Sequence, residues 1–382
     1  MRLTKLLGDF DLAEELVQDA IVTALEHWPR DGIPDAPGAW LLTVARRKGI
    51  DRLRREARYQ RKLALLEEAP PAVTTYTDER LDLIFTCCHP ALGRDAQVAL
   101  TLRSVVGLTT AEIARAFLVP EPTLAQRIVR AKRKIVEANI SLRRPDVSEL
   151  PERLGQVLAV LYLVFNEGYL SSGPERATRR DLAEEAGWLT SLIARAVPDE
   201  PEVLGLLALM RLHIARSDVR FDDRGRMVLL KDQDRSRWDR GRIADAIRLI
   251  ERAGAMRRPG PYQLQAAIAA LHAEAPSWSA TDWPQILRLY DELLAMTSSP
   301  VVALNRAIAL REVAGPEAAL REVERLADDL DRYHLFHATR AELLRDLGRG
   351  EEARAADRRA LELTENPAER ALLAERIATA ST

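Results

Sequence analysis

Apolar and polar residues follow the helical period along most of this chain. Between Asp11 and Trp28, one stripe is formed by Leu12, Leu16, Ala20, Ala24 and Trp28, with Ile21 and Leu25 beside it, and this predicts an amphipathic helix. Its other face carries Asp11, Glu14, Glu15, Gln18, Asp19 and Glu26, and the Pro/Gly/Asp-rich stretch PRDGIPDAPGAW ends it. A second helix is expected over Trp40 to Lys62, with Trp40, Leu41, Val44, Ala45, Ile50 and Leu53 as its apolar part. Val106 to Ile135 predicts two short helices joined by a tight turn. Thr109 and Glu112 have the spacing of a capping box, and Ile113, Ala114 and Phe117 give the first helix a buried face. Pro120 stops that helix, and Pro122 suits the first position of the next. In the second helix Leu124, Ile128 and Ala131 point inward, and Thr123, Gln126, Arg127, Arg130, Lys132, Arg133 and Lys134 are expected to face out.

After Arg144-Pro145 helix follows helix. Leu150 to Tyr169 is apolar on most sides and predicts a buried helix, while VRFDDRGRMVLL at Val219 to Leu230 reads as two short strands around a turn at Asp223 to Gly225. Near the end the sequence overlays on itself with a shift of 34: Ala303 on His337, Ala307 on Ala341, Leu310 on Leu344, Glu317 on Glu351 and Ala319 on Ala353, bracketed by Pro300 and Pro367. A helix-turn-helix period of this length, with small residues where helices cross, is the tetratricopeptide signature. Two clear repeats are too few for a stable solenoid, so earlier helices, including Pro201 to Ala215, are expected to complete the stack. The fold class is therefore all-α with at most one hairpin.

Charge changes the picture more than composition does. The formal net charge is −2, yet basic residues crowd Arg46 to Lys62 and Arg127 to Arg144 while acidic ones crowd Asp9 to Glu26, a segregation that suggests two unlike partners. The outward face of Thr123 to Lys134 is almost all donors and positive charge. A helix-turn-helix would place it in the DNA major groove, where Gln reads adenine and Arg reads guanine; an ordinary helical hairpin with a solvated basic face is the alternative. The density of Arg46, Arg47, Lys48, Arg52, Arg54, Arg55 and Arg58 calls for a polyanion, against the alternative of a merely solvated helix. The only cysteines are Cys87 and Cys88, so no disulfide framework is available and a reducing compartment is expected. Beside His89 they lack a distant second ligand pair, which favours a buried structural role over zinc. No run approaches the roughly 18 apolar residues of a membrane span, and the N-terminus lacks the apolar core of a signal peptide, so a cytoplasmic protein without membrane contact is expected. No phosphate loop, H-E-x-x-H or G-x-S-x-G pattern appears, and neither an enzyme nor a cofactor is expected.

Three stretches in this order, GDFDLAEELVQDAIVTALEHW, GAWLLTVARRKGIDRLRRE and GLTTAEIARAFLVPEPTLAQRIVRAKRKI, resemble region 2.2, regions 2.3 to 2.4 and region 4 of the extracytoplasmic-function sigma factors of bacterial RNA polymerase. The resemblance implies that the acidic helix docks on the coiled coil of the polymerase β′ subunit through Asp11, Glu14, Glu15, Leu16, Gln18 and Asp19. It implies that promoter DNA is opened at the minus-10 element by Arg46, Arg47, Lys48, Asp51, Arg52 and Arg55. The minus-35 element would be read by Gln126, Arg127 and Arg130, with Thr123 and Lys132 on phosphates. Two departures stand out. The chain starts at MRLTKLLGDF, short of most of region 2.1, which implies a mis-assigned start or an incomplete σ2 domain; and Leu118 stands where the family's turn usually has Gly.

The polar stretch LLKDQDRSRWDRGRI at Leu229 to Ile243 is expected to form an ion-paired network anchored by Trp238. The C-terminal half resembles the extension of one sigma subgroup, in which a tetratricopeptide-like region follows region 4 and this motif recurs. That implies regulation in cis, with Asp232, Asp234, Ser236, Trp238 and Asp239 as the motif and a concave surface for a protein partner. The expected organisation is a σ2-like domain at 1–63, a linker at 64–80, a σ4-like helix-turn-helix domain at 81–142 and a helical extension at 143–382, with repeats clearest at 300–367. Two other readings use the same residues. One is a helix-turn-helix regulator with a tetratricopeptide sensor that does not replace sigma; the other is an enzyme centred on Asp232 to Asp239 or on Asn166 and Glu167.

Overall fold

A computed structural model describes residues 3–4, 10–55, 76–117, 119–138, 140, 145, 148–170 and 176–379. The described residues are helical with no β-strand among them, and the chain divides into two compact units, Met1–Leu163 and Val164–Thr382.

The first unit opens with α1 (Phe10–Asp31) and α2 (Pro37–Arg55), which close on Leu3, Ala13, Leu16, Ala20 and Ala45. α1 outlasts its predicted end at Trp28. Pro29 gives up its own N–H bond and crowds the carbonyl four residues back, yet the helix runs on to Asp31, and Gly32, at φ 83°, ends it by donating its N–H to the Trp28 carbonyl at 3.0 Å. Next come α3 (Tyr76–Cys87) and α4 (Arg94–Thr101), a single π-turn over Leu102–Val106, α5 (Thr110–Ala116) and α6 (Glu121–Glu137). Residues 76–80 of the expected linker are thus helical. Gly107, at φ 90°, ends the π-turn, and its N–H and that of Leu108 both reach the Leu102 carbonyl, at 3.0 and 3.1 Å. A side chain is strained in that conformation, which accounts for glycine at the entry to α5. Leu118 lies outside the described residues.

α7 (Leu150–Leu170) is buried along Val157, Leu158, Val160 and Leu161, as its apolar pattern predicts. In the second unit α8 (Arg176–Ala196) precedes α9 (Pro201–Ile214), which is buried on every side from Val203 to Met210. α9 packs on α10 (Arg240–Ala255) and α11 (Pro261–Glu274). Its approach to α11 is so close that a Cβ on Gly205 would lie 2.6 Å from the Gln263 amide nitrogen. The predicted hairpin is reduced to one antiparallel bridge, Phe221 with Met227. Asp222 explains the brevity, because its carboxylate takes the N–H groups of Arg224 and Arg226 at 3.0 and 2.8 Å and curls the chain into a tight loop.

α12 (Trp283–Thr297) then leads into α13 (Pro300–Ala314), α14 (Pro316–Glu324), the single turn α15 (Ala327–Leu330), α16 (His334–Asp346), α17 (Gly350–Leu363) and α18 (Pro367–Thr379). The start of α13 and of α16, and likewise of α14 and of α17, lie 34 residues apart, matching the sequence overlay. Ala307, Ala319, Ala341 and Ala353 are buried in one cluster with Leu304, Leu320, Phe336 and Leu344. Four alanines at helix crossings let the backbones approach closely, and the leucines and Phe336 fill what remains. Glu317 and Glu351 sit in the first turns of α14 and α17, where the helix dipole favours an acid.

Candidate nucleic-acid interface and docking helix

The capping box forms as predicted. The Thr109 N–H and hydroxyl both donate to Glu112 Oε2 at 2.7 Å, and the Glu112 N–H returns to Thr109 Oγ1 at 3.2 Å, which fixes the start of α5. Pro120 is the N-cap of α6 and Pro122 falls at its second position. Along α6, Leu124, Ile128, Ala131 and Ile135 are buried, and Thr123, Gln126, Arg130, Arg133 and Lys134 are exposed. Arg127 is half-buried and holds Asp95 of α4 at 3.3 Å.

Lys132 departs from the expected pattern. It is buried, with its side chain 9% exposed, and its Nζ lies 3.0 Å from Oε2 of Glu14 on α1. The other oxygen of that carboxylate accepts from Arg103 at 2.5 Å. Burial works to raise the Glu14 pKa, but the hydrogen bond and charge of Lys132, together with Arg103, outweigh it and hold the carboxyl below its ordinary value. A residue expected on DNA phosphates and one expected on polymerase therefore neutralise each other. Leu124, Ile128 and Lys132 recur at i, i+4 and i+8, so the buried stripe itself carries Lys132; that spacing was the available signal.

On α1, Glu15, Gln18 and Asp19 are exposed, and so are Ile21, Val22 and Leu25, giving this helix a mixed acidic and apolar outer face. Leu16 is not on it. At 1% exposed it belongs to the α1–α2 core, as its place on the Leu12–Ala20 stripe requires. The side chain of Asp11 lies outside the described residues. On α2, Arg47 is exposed and Arg46 half-buried, while the Lys48 ammonium donates to the Asp19 carbonyl at 2.9 Å and so ties α2 to α1. Asp51, Arg52 and Arg55 lie on α2, and their side chains fall outside the described residues, as does everything from 56 to 75. Trp40 is half-buried against Trp28, ring centroids 5.5 Å apart. Cys87 and Cys88 are fully buried. Burial pushes the Cys88 thiol up to about 12, against the opposing Thr101 hydroxyl at 3.6 Å, and Cys87 is raised well above its ordinary value by burial first and by Cys88 second. Neither supplies a thiolate at neutral pH. Among the described residues no three potential ligands are placed to hold a metal, and no helix is long and apolar enough to cross a membrane.

In the second unit the stretch Leu229–Ile243 carries ion pairs near its ends, Lys231 with Glu342 at 3.0 Å and Arg242 with Asp239 at 3.3 Å and Glu184 at 3.1 Å, and between them its charges serve as helix caps. Asp234 Oδ1 accepts from the Ser236 N–H at 3.0 Å and from its hydroxyl at 2.6 Å, opening the short 3₁₀ turn Arg235–Arg237. Asp239 Oδ1 accepts from the Arg242 N–H at 3.0 Å and starts α10. At the opposite pole, Arg235 Nη1 donates to the carbonyls of His272 and Ala275 at 2.8 Å, and Arg240 Nη1 to that of Ala273 at 3.3 Å, closing the C-terminus of α11. Trp238 is buried with the Arg235 guanidinium 5.2 Å from its ring centroid, while Asp232 is exposed. The buried polar residues of the stretch are Gln233 and Arg235, which the charge pattern did not single out. Gln233 donates to the Val228 carbonyl at 3.0 Å and accepts from Arg216 at 3.4 Å.

Comparison with known proteins gives the two halves different standings. Residues 2–59 match Sigma-70 region 2, residues 82–135 match Sigma-70 region 4, and residues 153–254 match a family of unknown function, DUF6596. A protein of Rhizobium meliloti (strain 1021), described as "Uncharacterized protein R00370", is 45% identical over 382 residues, covering 97% of this chain and 90% of that protein. Region 2 and region 4 occur in order, and region 4 falls on the helix pair that presents Gln126 and Arg130: the chain belongs to the sigma-70 family, with a helical C-terminal extension.

Proposed function

We propose that this chain is a promoter-specificity subunit of the extracytoplasmic-function type, carrying a tetratricopeptide-like extension that regulates it in cis. Membership of the sigma-70 family implies core RNA polymerase and promoter DNA as partners. The finer reading is carried by α6, where Thr123, Gln126 and Arg130 stand exposed on one helix directly after a capped partner helix, the disposition a helix-turn-helix needs to reach base edges. The exposed Glu15, Gln18 and Asp19 with Ile21 and Leu25 suit a polymerase coiled coil better than an acidic face alone would, since an apolar centre with a polar rim is what a protein interface uses. Arg46, Arg47 and Lys48 would follow the backbone of the opened minus-10 strand, with Asp51, Arg52 and Arg55 further along the same helix. Lys132 would reach a phosphate only by leaving Glu14. The 34-residue helix-pair period supports the tetratricopeptide-like reading of the extension. The match to region 2 disfavours a helix-turn-helix regulator that does not replace sigma, which would have no use for that domain.

The test is transcription from a promoter of this protein's own, reconstituted with core polymerase. Arg127→Ala and Arg130→Ala are each expected to cost roughly 1–3 kcal/mol of promoter affinity and to relax preference at one base pair, the worth of a base contact. Unchanged transcription and unchanged preference in both variants would show that α6 does not read the minus-35 element.

A further inference from the structure

Helices α13, α16 and α18 are faced by the chain's own segment Leu229–Lys231, which is fastened by a 3.0 Å ion pair between Lys231 Nζ and Glu342 of α16. Segment and helices enclose a cleft of about 220 Å³, room for roughly seven waters at their liquid volume or a ligand of about ten non-hydrogen atoms. Its apolar walls are Leu230, Trp278, Ile308 and Leu343. Trp278 is held in place from behind by Trp283 and His272, with ring centroids 4.5 and 6.0 Å away, so this wall is preorganised.

The charges at the cleft are lopsided. Three cations line it, Lys231, Arg311 and Arg376, from three separate elements, against one lining carboxylate, Glu342, while Asp346 and Glu312 stand beside Arg311 outside the lining. Burial works to raise the Glu342 pKa, yet Arg376, Lys231 and Arg345 hold it down to about 2, so it stays ionised and its few acceptor sites are committed. Arg311 is not among its donors. The Arg311 Nε is anchored on Asp346 at 2.5 Å, and its Nη1 stands 3.9 Å from Glu342 and 3.9 Å from Glu312, too far for a hydrogen bond to either. A guanidinium fixed at one edge, with its other edge beside an apolar cleft, suits a planar carboxylate, and an uncharged or cationic molecule would leave that edge unused.

We infer that this cleft binds a small organic acid, an apolar body of about ten atoms with its carboxylate on Arg311 and Lys231. Lys231 stands two residues before buried Gln233, so an acid drawing Lys231 from Glu342 pulls on the segment that caps α10 and α11. The inference rests on the second unit alone and stands or falls separately from the role of α6.

The test is titration calorimetry on the full chain at pH 7 with 3-phenylpropionate and octanoate, against 3-phenylpropanol and octanol as uncharged counterparts. Saturable binding of an acid is expected, with the matching alcohol at least about tenfold weaker, equivalent to ~1.4 kcal/mol. Arg311→Gln should weaken the acid by a similar factor. Ala338→Leu, which fills the cleft from α16 without touching a charge, should abolish binding while the far-ultraviolet circular dichroism stays that of the parent. If Arg311→Gln unfolds, Ala338→Leu decides alone. The inference is overturned if neither acid binds below ~1 mM, a level of about −4 kcal/mol, if acid and alcohol bind equally, or if a folded Ala338→Leu binds like the parent.

Discussion

Replacing Glu14 by Gln tests the contact that joins the two predicted interfaces. At 3.0 Å a Lys132–Glu14 pair attracts with about 5 kcal/mol at an effective dielectric near 20. Two features reduce what the substitution costs. Glu14 has a side chain 39% exposed, so water already screens it, and Arg103, at 29%, can rehydrate when released. Lys132, at 9%, has no such recourse. The cost therefore falls between that of a surface pair and that of a buried one, about 1–3 kcal/mol. Native-state hydrogen exchange on the full chain reads it locally. Protection in α1 and α6 should drop by that amount in Glu14→Gln and by less in Lys132→Met, because Arg103 still holds Glu14. The double variant should lose less than the sum of the two, leaving a coupling of about 1 kcal/mol. Acid should do the same work as the substitution. The folded pKa of Glu14 lies below its ordinary value, so its contribution is complete above about pH 4.3 and is lost as pH falls through the lowered folded value. A coupling within ~0.3 kcal/mol of zero would refute the reasoning.

Two further outcomes follow from the second unit. Gly205→Ala puts a Cβ against backbone of α11, 2.6 Å from the Gln263 nitrogen and 2.9 Å from its Cα, where nothing flexible can give; urea unfolding should show a loss of about 2–4 kcal/mol, and a loss under ~0.5 kcal/mol would mean the helices are not so close. His272 has its pKa depressed to about 4, by burial first and then by Arg235 and Arg216, so the unfolded chain takes up its proton first as pH falls; stability present above about pH 6.5 should decline by roughly 3 kcal/mol down to pH 4, and His272→Gln should flatten that decline.

The helix pairs of this protein are plain in its sequence because their signals are local. A capping box lies within one turn, and the repeat is a matter of spacing, so Pro300 and His334 begin equivalent helices although only one of them is a proline. What the sequence hid depended on neighbours distant along the chain. Lys132 is a cation on a basic helix by composition and a buried group by position, and nothing within α6 says that a carboxylate from α1 waits beside it. Resemblance alone points Leu16 at polymerase, whereas its own stripe places it in the core. Pro29 and the Val219–Leu230 pattern misled for a different reason: each is a genuine local preference overruled by hydrogen bonds, in the first case those continuing around Pro29 to Gly32, and in the second those converging on Asp222.

The stretch Asp232–Arg240 shows why alternating charge is ambiguous in a sequence. Opposite charges side by side suggest ion pairs, but in a segment running between helix ends the backbone offers partners of both signs. Orphan N–H groups at a helix start attract carboxylates, and orphan carbonyls at a helix end attract guanidinium groups. Asp239 goes to the start of α10, and Arg235 and Arg240 to the end of α11, each sign at the pole that suits it. Arg235 is buried with two carbonyls on its Nη1 and the face of Trp238 beside it in place of a carboxylate, while its Nη2 has no hydrogen-bond partner among the described residues. The segment is thereby tied to α10 and α11 on one side, and through Lys231 to Glu342 of α16 on the other.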